Sequence, residues 1–374
     1  MFYRLFYFVV LNPTRYIERK AYNCRNKIEE SIRYWDKIRH GANTIDVMKK
    51  LRLILCLLIA VLLCAAYPVQ AYAETTDEQV YIGGFQVGIA LDVGGALVEE
   101  VTGVNTEYGI AKVDGIQKGD IITKVNGGQI KSVDDIREYL TAERAEIELL
   151  RSGKNITVTV VPIIEQYTNS PRLGIKIKDK IYGIGTVTYV DKNGGYAALG
   201  HEIYDAETDT HFIGATGKLH ACKILGIKKS VKDEAGAILA SIVGDSDYGT
   251  ITCSNNFGIA GKYTAEIPST DMAYISSKSE IKPGAAQIRT SIDGNPKYYD
   301  IEIVKASTKG VRREKSIVFR VTDKELIDKT GGILRGMSGS PILQNGKLVG
   351  AVTHVFLNDP TRGYGLAVEH MNKN

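Results

Sequence analysis

Apolar and polar positions alternate in short runs through most of residues 170–374. Alternation with a period of two is typical of strands that bury one face. Turn residues (Gly, Asn and Asp) separate these runs, and helical periodicity is rare. The pattern therefore predicts a mainly β domain, built as a barrel or a sandwich. The runs lie at residues 183–190, 237–243, 250–253, 286–292, 299–304 and 316–321.

Residues 79–163 show a different order of elements. The segment GGFQVGIAL (83–91) is a glycine-bearing loop that leads into an alternating strand, and GIQKGDIITKVNG (115–127) is a second strand ending in a turn. The segment SVDDIREYL (132–140) predicts a helix with a capping-box pattern. Residues 145–150 and 156–161 predict a final strand pair, so this module is α+β.

These three motifs, in this order, resemble a PDZ domain of the kind found beside bacterial proteases. The resemblance implies that a bound peptide adds a strand to a sheet edge. It also implies that backbone N–H groups of the glycine-rich loop hold the peptide carboxylate, which assigns this role to Phe85, Gln86, Val87 and Gly88. The alternative is that these glycines only allow a tight turn.

The chain has a leader of three parts. A basic stretch at residues 48–52 precedes an apolar run at 53–66, and Ala71-Tyr72-Ala73 gives a small-x-small cleavage pattern. These features predict a secretory signal at residues 48–73, with an uncleaved membrane anchor as the alternative. Residues 1–47 are either an upstream extension, with Met48 as the natural start, or a cytoplasmic tail.

Charge and cysteine content exclude some functions for the rest of the chain. Residues 1–73 contain 12 of the 47 Lys/Arg and 5 of the 43 Asp/Glu, so the remainder has a net charge of −3. No nucleic-acid footprint remains in it, and we expect no nucleic-acid partner. Cys222 and Cys253 have no metal-like spacing and are expected to be separate apolar residues, with a disulfide as the alternative. We expect no metal and no cofactor.

The segment GMSGSP (336–341) carries the most specific chemistry. Glycines on both sides of Ser338 allow a tight turn that presents the hydroxyl outward, and an Asn345-Gly346 hairpin follows. The segment resembles the nucleophile segment of chymotrypsin-type proteases, which implies Ser338 as the nucleophile and makes the backbone N–H groups of Gly336 and Ser338 the candidates for the oxyanion hole. The alternative is a glycine-rich turn with an incidental serine.

A serine nucleophile needs a base, and His201 has the best setting among the six histidines. It follows an apolar strand that ends in Gly200, which is where a barrel protease places its base. His354 is interpreted as structural, with contact to substrate as the alternative.

Two long motifs, YAALGHEIYDAETDT (196–210) and TGGILRGMSGSPILQNGKLVGAVTHVF (330–356), closely resemble the stage IV sporulation protein B (SpoIVB) peptidase family. The leader and the PDZ-like module match that family's layout. The resemblance implies a chymotrypsin-like barrel with the triad His201, Asp323 and Ser338. Asp323 is the less secure member, because Thr322 and Glu325 form a capping-box pair and Asp323 could simply start a helix. Asp205 and Asp209 are alternative acids.

The same resemblance implies a signalling protease between the two membranes around a forespore. It would cleave the extracytoplasmic part of a membrane-tethered regulator, so that the sigma-K precursor is processed, and would also cleave itself. The PDZ-like module would hold the target or the enzyme's own tail. The alternatives are a general envelope quality-control protease and a non-catalytic binding scaffold.

Overall fold

The structure is a computed structural model, and residues 25–34, 51, 54–55, 79–307 and 315–371 are described. The predicted signal segment (48–73) and the extension before it fall largely outside these residues. Within that extension, residues 25–34 are helical and exposed. In the described part of the chain, no helix is both long enough and apolar enough to cross a membrane. Residues 1–72 and 73–374 form two separate units, and the following description concerns the second.

The described residues of 79–307 and 315–371 form mainly strands, with two short α-helices, Asp135–Tyr139 and Lys324–Thr330, and 3-10 turns at Lys278–Glu280 and Val368–His370. In chain order the strands are β1 (Gln79–Ile82), β2 (Gln86–Val101), β3 (Val104–Thr106), β4 (Gly109–Ala111), β5 (Ile121–Val125), β6 (Gly128–Gln129), β7 (Ala145–Arg151), β8 (Lys154–Val160), β9 (Ile163–Ile164), β10 (Pro171–Arg172), β11 (Ile175–Val190), β12 (Gly195–Leu199), β13 (Tyr204–Asp205), β14 (Thr210–His211), β15 (Gly217–Lys228), β16 (Ala237–Asn255), β17 (Gly258–Tyr263), β18 (Met272–Ile275), β19 (Gly284–Ser291), β20 (Pro296–Ala306), β21 (Ile317–Val321), β22 (Pro341–Gln344), β23 (Lys347–Val355) and β24 (Arg362–Ala367).

Six of these strands close into a first antiparallel barrel. The pairing runs from β2 to β11, β12, β17, β16 and β15, and β15 pairs back onto β2. Closure leaves no free sheet edge in the cycle. The interior is apolar, and Leu91, Leu219 and Ile251 are among its fully buried side chains.

A second barrel of six antiparallel strands follows in the chain. Its cycle runs from β19 to β20, β21, β24, β23 and β22, and β22 pairs back onto β19. Ile288, Ile303 and Phe319 lie at its centre and are fully buried. β1 and β18 pair with each other, and they contact β11 of the first barrel and β23 of the second.

The α+β module lies between two strands of the first barrel. β2 and β11 are 16 residues each, and one end of each belongs to the barrel while the other belongs to the module. The module has its own apolar core, which includes Ile122, Ile136 and Ile147 and is completed by residues as late as Leu173. The protease domain therefore begins before the module, and the prediction of two consecutive domains (79–163 and 170–374) is replaced by an insertion.

This arrangement changes the position of Phe85, Gln86, Val87 and Gly88. All four are buried in the first barrel, where Gln86, Val87 and Gly88 pair with residues 184–186 of β11. Gly88 also pairs with β15 on its other edge. Because the ladders occupy this backbone, the four residues lie in the barrel wall and not beside the helix of the module.

Candidate active site

Ser338 lies on a tight turn between the helix Lys324–Thr330 and β22. Gly336 and Gly339 have φ angles of 96° and 95°, a region that favours glycine, so the predicted need for glycines on both sides of the serine has a backbone cause. A Cβ on Gly339 would lie 2.0 Å from the carbonyl oxygen of Thr186, which adds a steric reason.

The first barrel holds this turn through strand β11. The hydroxyl of Thr186 donates to the carbonyl of Gly336 at 2.7 Å, and the hydroxyl of Thr188 donates to the carbonyl of Gly339 at 2.7 Å. The backbone N–H of Thr186 donates to the carbonyl of Ser338 at 3.0 Å. Three bonds from one strand therefore orient the carbonyls of the turn toward the first barrel.

The N–H groups of the turn divide into two sets. Those of Met337, Gly339 and Ser340 donate to the carbonyls of Leu334, Val352 and Met337, respectively. Within the described residues, the N–H groups of Gly336 and Ser338 donate to no backbone carbonyl. These are the two groups predicted for the oxyanion hole, and they remain available to a substrate carbonyl.

His201 lies immediately after β12, where the chain turns sharply. Leu199 and Gly200 both have positive φ angles, 73° and 78°, and this turn carries the imidazole out of the strand. Nδ1 lies 2.8 Å from the backbone carbonyl oxygen of Glu202. Because a carbonyl only accepts, Nδ1 carries the proton and Nε2 has the lone pair that a general base requires. Burial lowers the pKa of His201 below its usual range, which favours the neutral form.

Ser338 and His201 line the same cavity, which has a volume of about 330 Å³. The Ser338 hydroxyl donates to the carbonyl of Thr353 at 2.9 Å. His354 follows Thr353 in the chain. The centroid of its ring lies 5.4 Å from the ring centroid of His201. To transfer its proton to His201, the Ser338 hydroxyl must turn away from Thr353.

Asp323 has a different setting. It is the N-cap of the helix Lys324–Thr330, and its carboxylate accepts from the N–H of Leu326 at 2.9 Å and from that of Asp300 at 3.4 Å. It is not among the residues that line the cavity of Ser338 and His201. The structure thus brings two members of the predicted triad together and places the third in the cap that was its alternative role. The hydrogen bond that His201 was expected to donate to an acid is instead accepted by the backbone carbonyl of Glu202, a group that leaves no signal in the sequence.

The two alternative acids are also engaged elsewhere. Asp205 accepts from Lys178 at 2.7 Å and from the hydroxyl and N–H of Thr208 at 2.9 Å each. Asp209 is 93% exposed and lies 3.9 Å from Nε2 of His211. Cys222 and Cys253 are free thiols, as the sequence interpretation favoured.

Lys178 connects the module to the segment that follows His201. Its Nζ lies 2.7 Å from Glu99 on β2 and 2.7 Å from Asp205 on β13, and all three side chains are largely buried. This buried ion triad (Glu99, Lys178 and Asp205) lies where β11 passes from the module into the barrel.

The module has a groove between its helix and the start of β11. Ile136 and Leu140 line one side, and Leu173, Ile175 and Ile177 line the other, around a volume of about 470 Å³. Residues 175–178 pair with β2 on one edge, and within the described residues no strand pairs with their other edge. A free strand edge beside a helix is the arrangement to which a peptide can add as a further strand. Residues 83–91 do not line this groove.

Two closed six-stranded barrels, a glycine-framed serine and a histidine with Nε2 available define a serine peptidase carrying an inserted PDZ module. The chain belongs to the SpoIVB peptidase S55 family, whose model matches residues 169–372, and a PDZ domain model matches residues 101–151. No curated protein sequence matches the chain.

Solved structures of proteases match parts of the chain at low identity. An HtrA-type protease AlgW variant with a bound decapeptide is 11% identical, with 55% of this chain and 53% of that chain covered and a TM-score of 0.28. An inactive form of the Rv3671c protease of M. tuberculosis is 12% identical, with coverages of 52% and 85% and a TM-score of 0.26. The chain thus spans about half the length of the first of these proteases.

Proposed function

We propose that this peptidase is a sporulation signalling endopeptidase. It acts outside the cytoplasm, between the membranes around the forespore, and is secreted there or anchored by residues 48–73. It cleaves the extracytoplasmic part of a membrane-tethered regulator, which activates sigma-K precursor processing, and it cleaves itself. Membership of the SpoIVB peptidase S55 family supports this role.

One observation supports the hydrolytic chemistry most directly: Ser338 and His201 line one cavity. Nε2 of His201 takes the proton of the Ser338 hydroxyl as the oxygen attacks the scissile carbonyl, and the N–H groups of Gly336 and Ser338 hold the oxyanion. His201 then gives that proton to the leaving amine, and the acyl-enzyme is hydrolysed by a water that His201 activates.

A peptide partner fits the groove of the module. An extended peptide, from the target or from the enzyme's own tail, adds as a strand to residues 175–178 and places apolar side chains against Ile136 and Leu140. Two arginines (Arg137 and Arg172) and two acidic residues (Asp134 and Glu165) also line this groove, so the fit to a peptide rests on the free strand edge and the apolar wall.

The test is proteolysis by the full purified chain, scored as self-cleavage and as cleavage of a candidate regulator's extracytoplasmic domain. Ser338→Ala and His201→Ala are each expected to lower the rate by about 10⁴-fold or more. Ser340→Ala is the matched control, because this buried hydroxyl lies on the same turn and makes no hydrogen bond within the described residues. Equal cleavage by wild type and both active-site variants would refute the assignment.

A panel of denatured proteins tests the signalling role separately. The proposal expects cleavage of the regulator and of the chain itself, with little cleavage of the panel. Broad cleavage of the panel would instead show a quality-control protease, and peptide binding without any cleavage would show a scaffold.

A further inference from the structure

The cavity beside Ser338 extends well beyond the two reacting side chains. Five aliphatic side chains contribute to its wall: Ile89, Ile181, Ile184, Leu199 and Ile203. Ile89 and Leu199 are buried in the core of the first barrel, so this part of the wall is fixed by packing. The wall is apolar next to two groups that act on a peptide bond.

The cavity is also lined by charged residues and by two tyrosines. Glu202 follows His201, and Arg335 precedes the oxyanion turn and is exposed. Tyr182 and Tyr204 are 65% and 53% exposed, respectively. An apolar wall with a few polar groups is the usual composition of a site that binds a side chain and orients it.

Gly183 is an exposed residue of the cavity lining. It lies on β11 opposite Ile89, and a Cβ built on it meets no atom within 4 Å. Its φ lies outside the left-handed region, so the backbone does not require glycine there. A side chain at position 183 would therefore occupy open space beside the cavity without straining the chain.

We propose that this cavity is the specificity subsite of the peptidase, and that it binds a large aliphatic or aromatic side chain flanking the cleaved bond. This inference rests on the proposed serine peptidase chemistry. The substrate class is then a peptide with a large apolar residue within one or two positions of the scissile bond. Apolar pockets discriminate by about 10- to 200-fold for small differences in side-chain size, so a preference of that order over Ala is expected.

The test uses the full chain and peptides that differ only in Leu, Phe, Ala or Asp at each position around the cleaved bond. Gly183→Leu should fill the space and lower kcat/KM for the Leu and Phe peptides by about 10- to 200-fold, while the Ala peptide is cleaved nearly as before. Gly226→Leu is the matched control. This second strand glycine also has open space around its Cβ and an ordinary φ, and it does not line the cavity.

Ile184→Ala is a second variant and works in the opposite direction. Ile184 is partly exposed and lies outside the buried core of the barrel, so shortening it enlarges the cavity at little cost to folding. It should shift the preference from Leu toward Phe. Thermal unfolding of each variant checks that the fold is kept.

A small sulfonyl fluoride that labels Ser338 separates this inference from the proposed function. Labelling of wild type and Gly183→Leu alike, with loss of the large-residue preference only in the variant, supports the subsite. An unchanged preference in Gly183→Leu, or no apolar preference in the labelled wild type, overturns it. A wild-type chain that the reagent does not label at Ser338 overturns the serine mechanism itself.

Discussion

The two barrels have the same number of strands, but they are connected differently to the rest of the molecule. The first carries His201, and two of its strands, β2 and β11, continue into the inserted module. The second carries Ser338 on a turn that Thr186 and Thr188 of the first barrel hold in place. The nucleophile is thus fixed by contacts between barrels, whereas the segment after the base is tied to the module through Lys178. The difference suggests that the module influences the histidine side of the site first.

Lys178→Met tests this connection and has the largest expected effect. Removing the cation leaves Glu99 and Asp205 without their shared partner, which should lower the free energy of unfolding by about 3 kcal/mol. Lys176→Met is the control, because Lys176 also pairs with Glu99 but is 63% exposed, and losing an exposed ion pair should lower the free energy of unfolding much less. Urea denaturation measures both. Equal losses would show that the buried triad does not stabilise the junction.

Thr186→Val tests how the first barrel holds the nucleophile turn. Valine keeps the shape but removes the donor to the Gly336 carbonyl, so the free energy of unfolding should fall by about 1–3 kcal/mol. We also expect kcat/KM to fall at least tenfold, since the oxyanion turn loses one of its supports. Thr252→Val, at an exposed threonine of the same barrel, should change stability by less than about 0.5 kcal/mol. Unchanged kinetics in Thr186→Val would contradict the role of this contact.

The pH profile examines the base on the first barrel. Because burial lowers the pKa of His201, the imidazole stays neutral to lower pH than a free histidine, whose pKa is about 6.5. kcat/KM should therefore rise with pH along a limb whose midpoint lies below about 6.5. The same lowered pKa means that the unfolded chain binds the proton first, so this group's contribution to stability falls as pH drops below about 6.5. A midpoint above 6.5 would contradict the buried setting.

Asp323→Asn has the smallest expected effect on folding. Asparagine caps helices about as well as aspartate, so the free energy of unfolding should change by only a few tenths of a kcal/mol. Asp323→Ala removes the cap and should cost about 1 kcal/mol. Since the Asn variant keeps the cap, a fall in its kcat approaching 10⁴-fold would belong to catalysis and would support Asp323 as the triad acid. If kcat of Asp323→Asn changes by less than tenfold, capping the helix is the only role left for Asp323.

The local sequence pattern was sufficient to predict part of the fold and part of the candidate active site. Alternation and turn residues predicted a mainly β chain, and the glycine-framed Ser338 and the strand-end His201 were identified from their own neighbourhoods. The insertion of the module into the first barrel was not predicted. The sequence of β2 predicts one alternating strand, whether its pairing partners lie in the module or in the barrel. Residues 85–88 were assigned to the module for that reason. The Glu202 carbonyl and the edge at residues 175–178 depend on pairing between distant segments, which local sequence does not encode.

The way in which β2 and β11 enter the module has a consequence for protein engineering. The module is attached by two paired strands instead of a flexible linker, with Leu97 of one strand opposite Lys178 of the other. A foreign domain could replace it only if its two termini emerge as neighbouring antiparallel strands, about 4.8 Å apart. Families of small domains whose ends meet in this way are the natural donors for chimeric peptidases, whereas a domain with distant termini would open the first barrel.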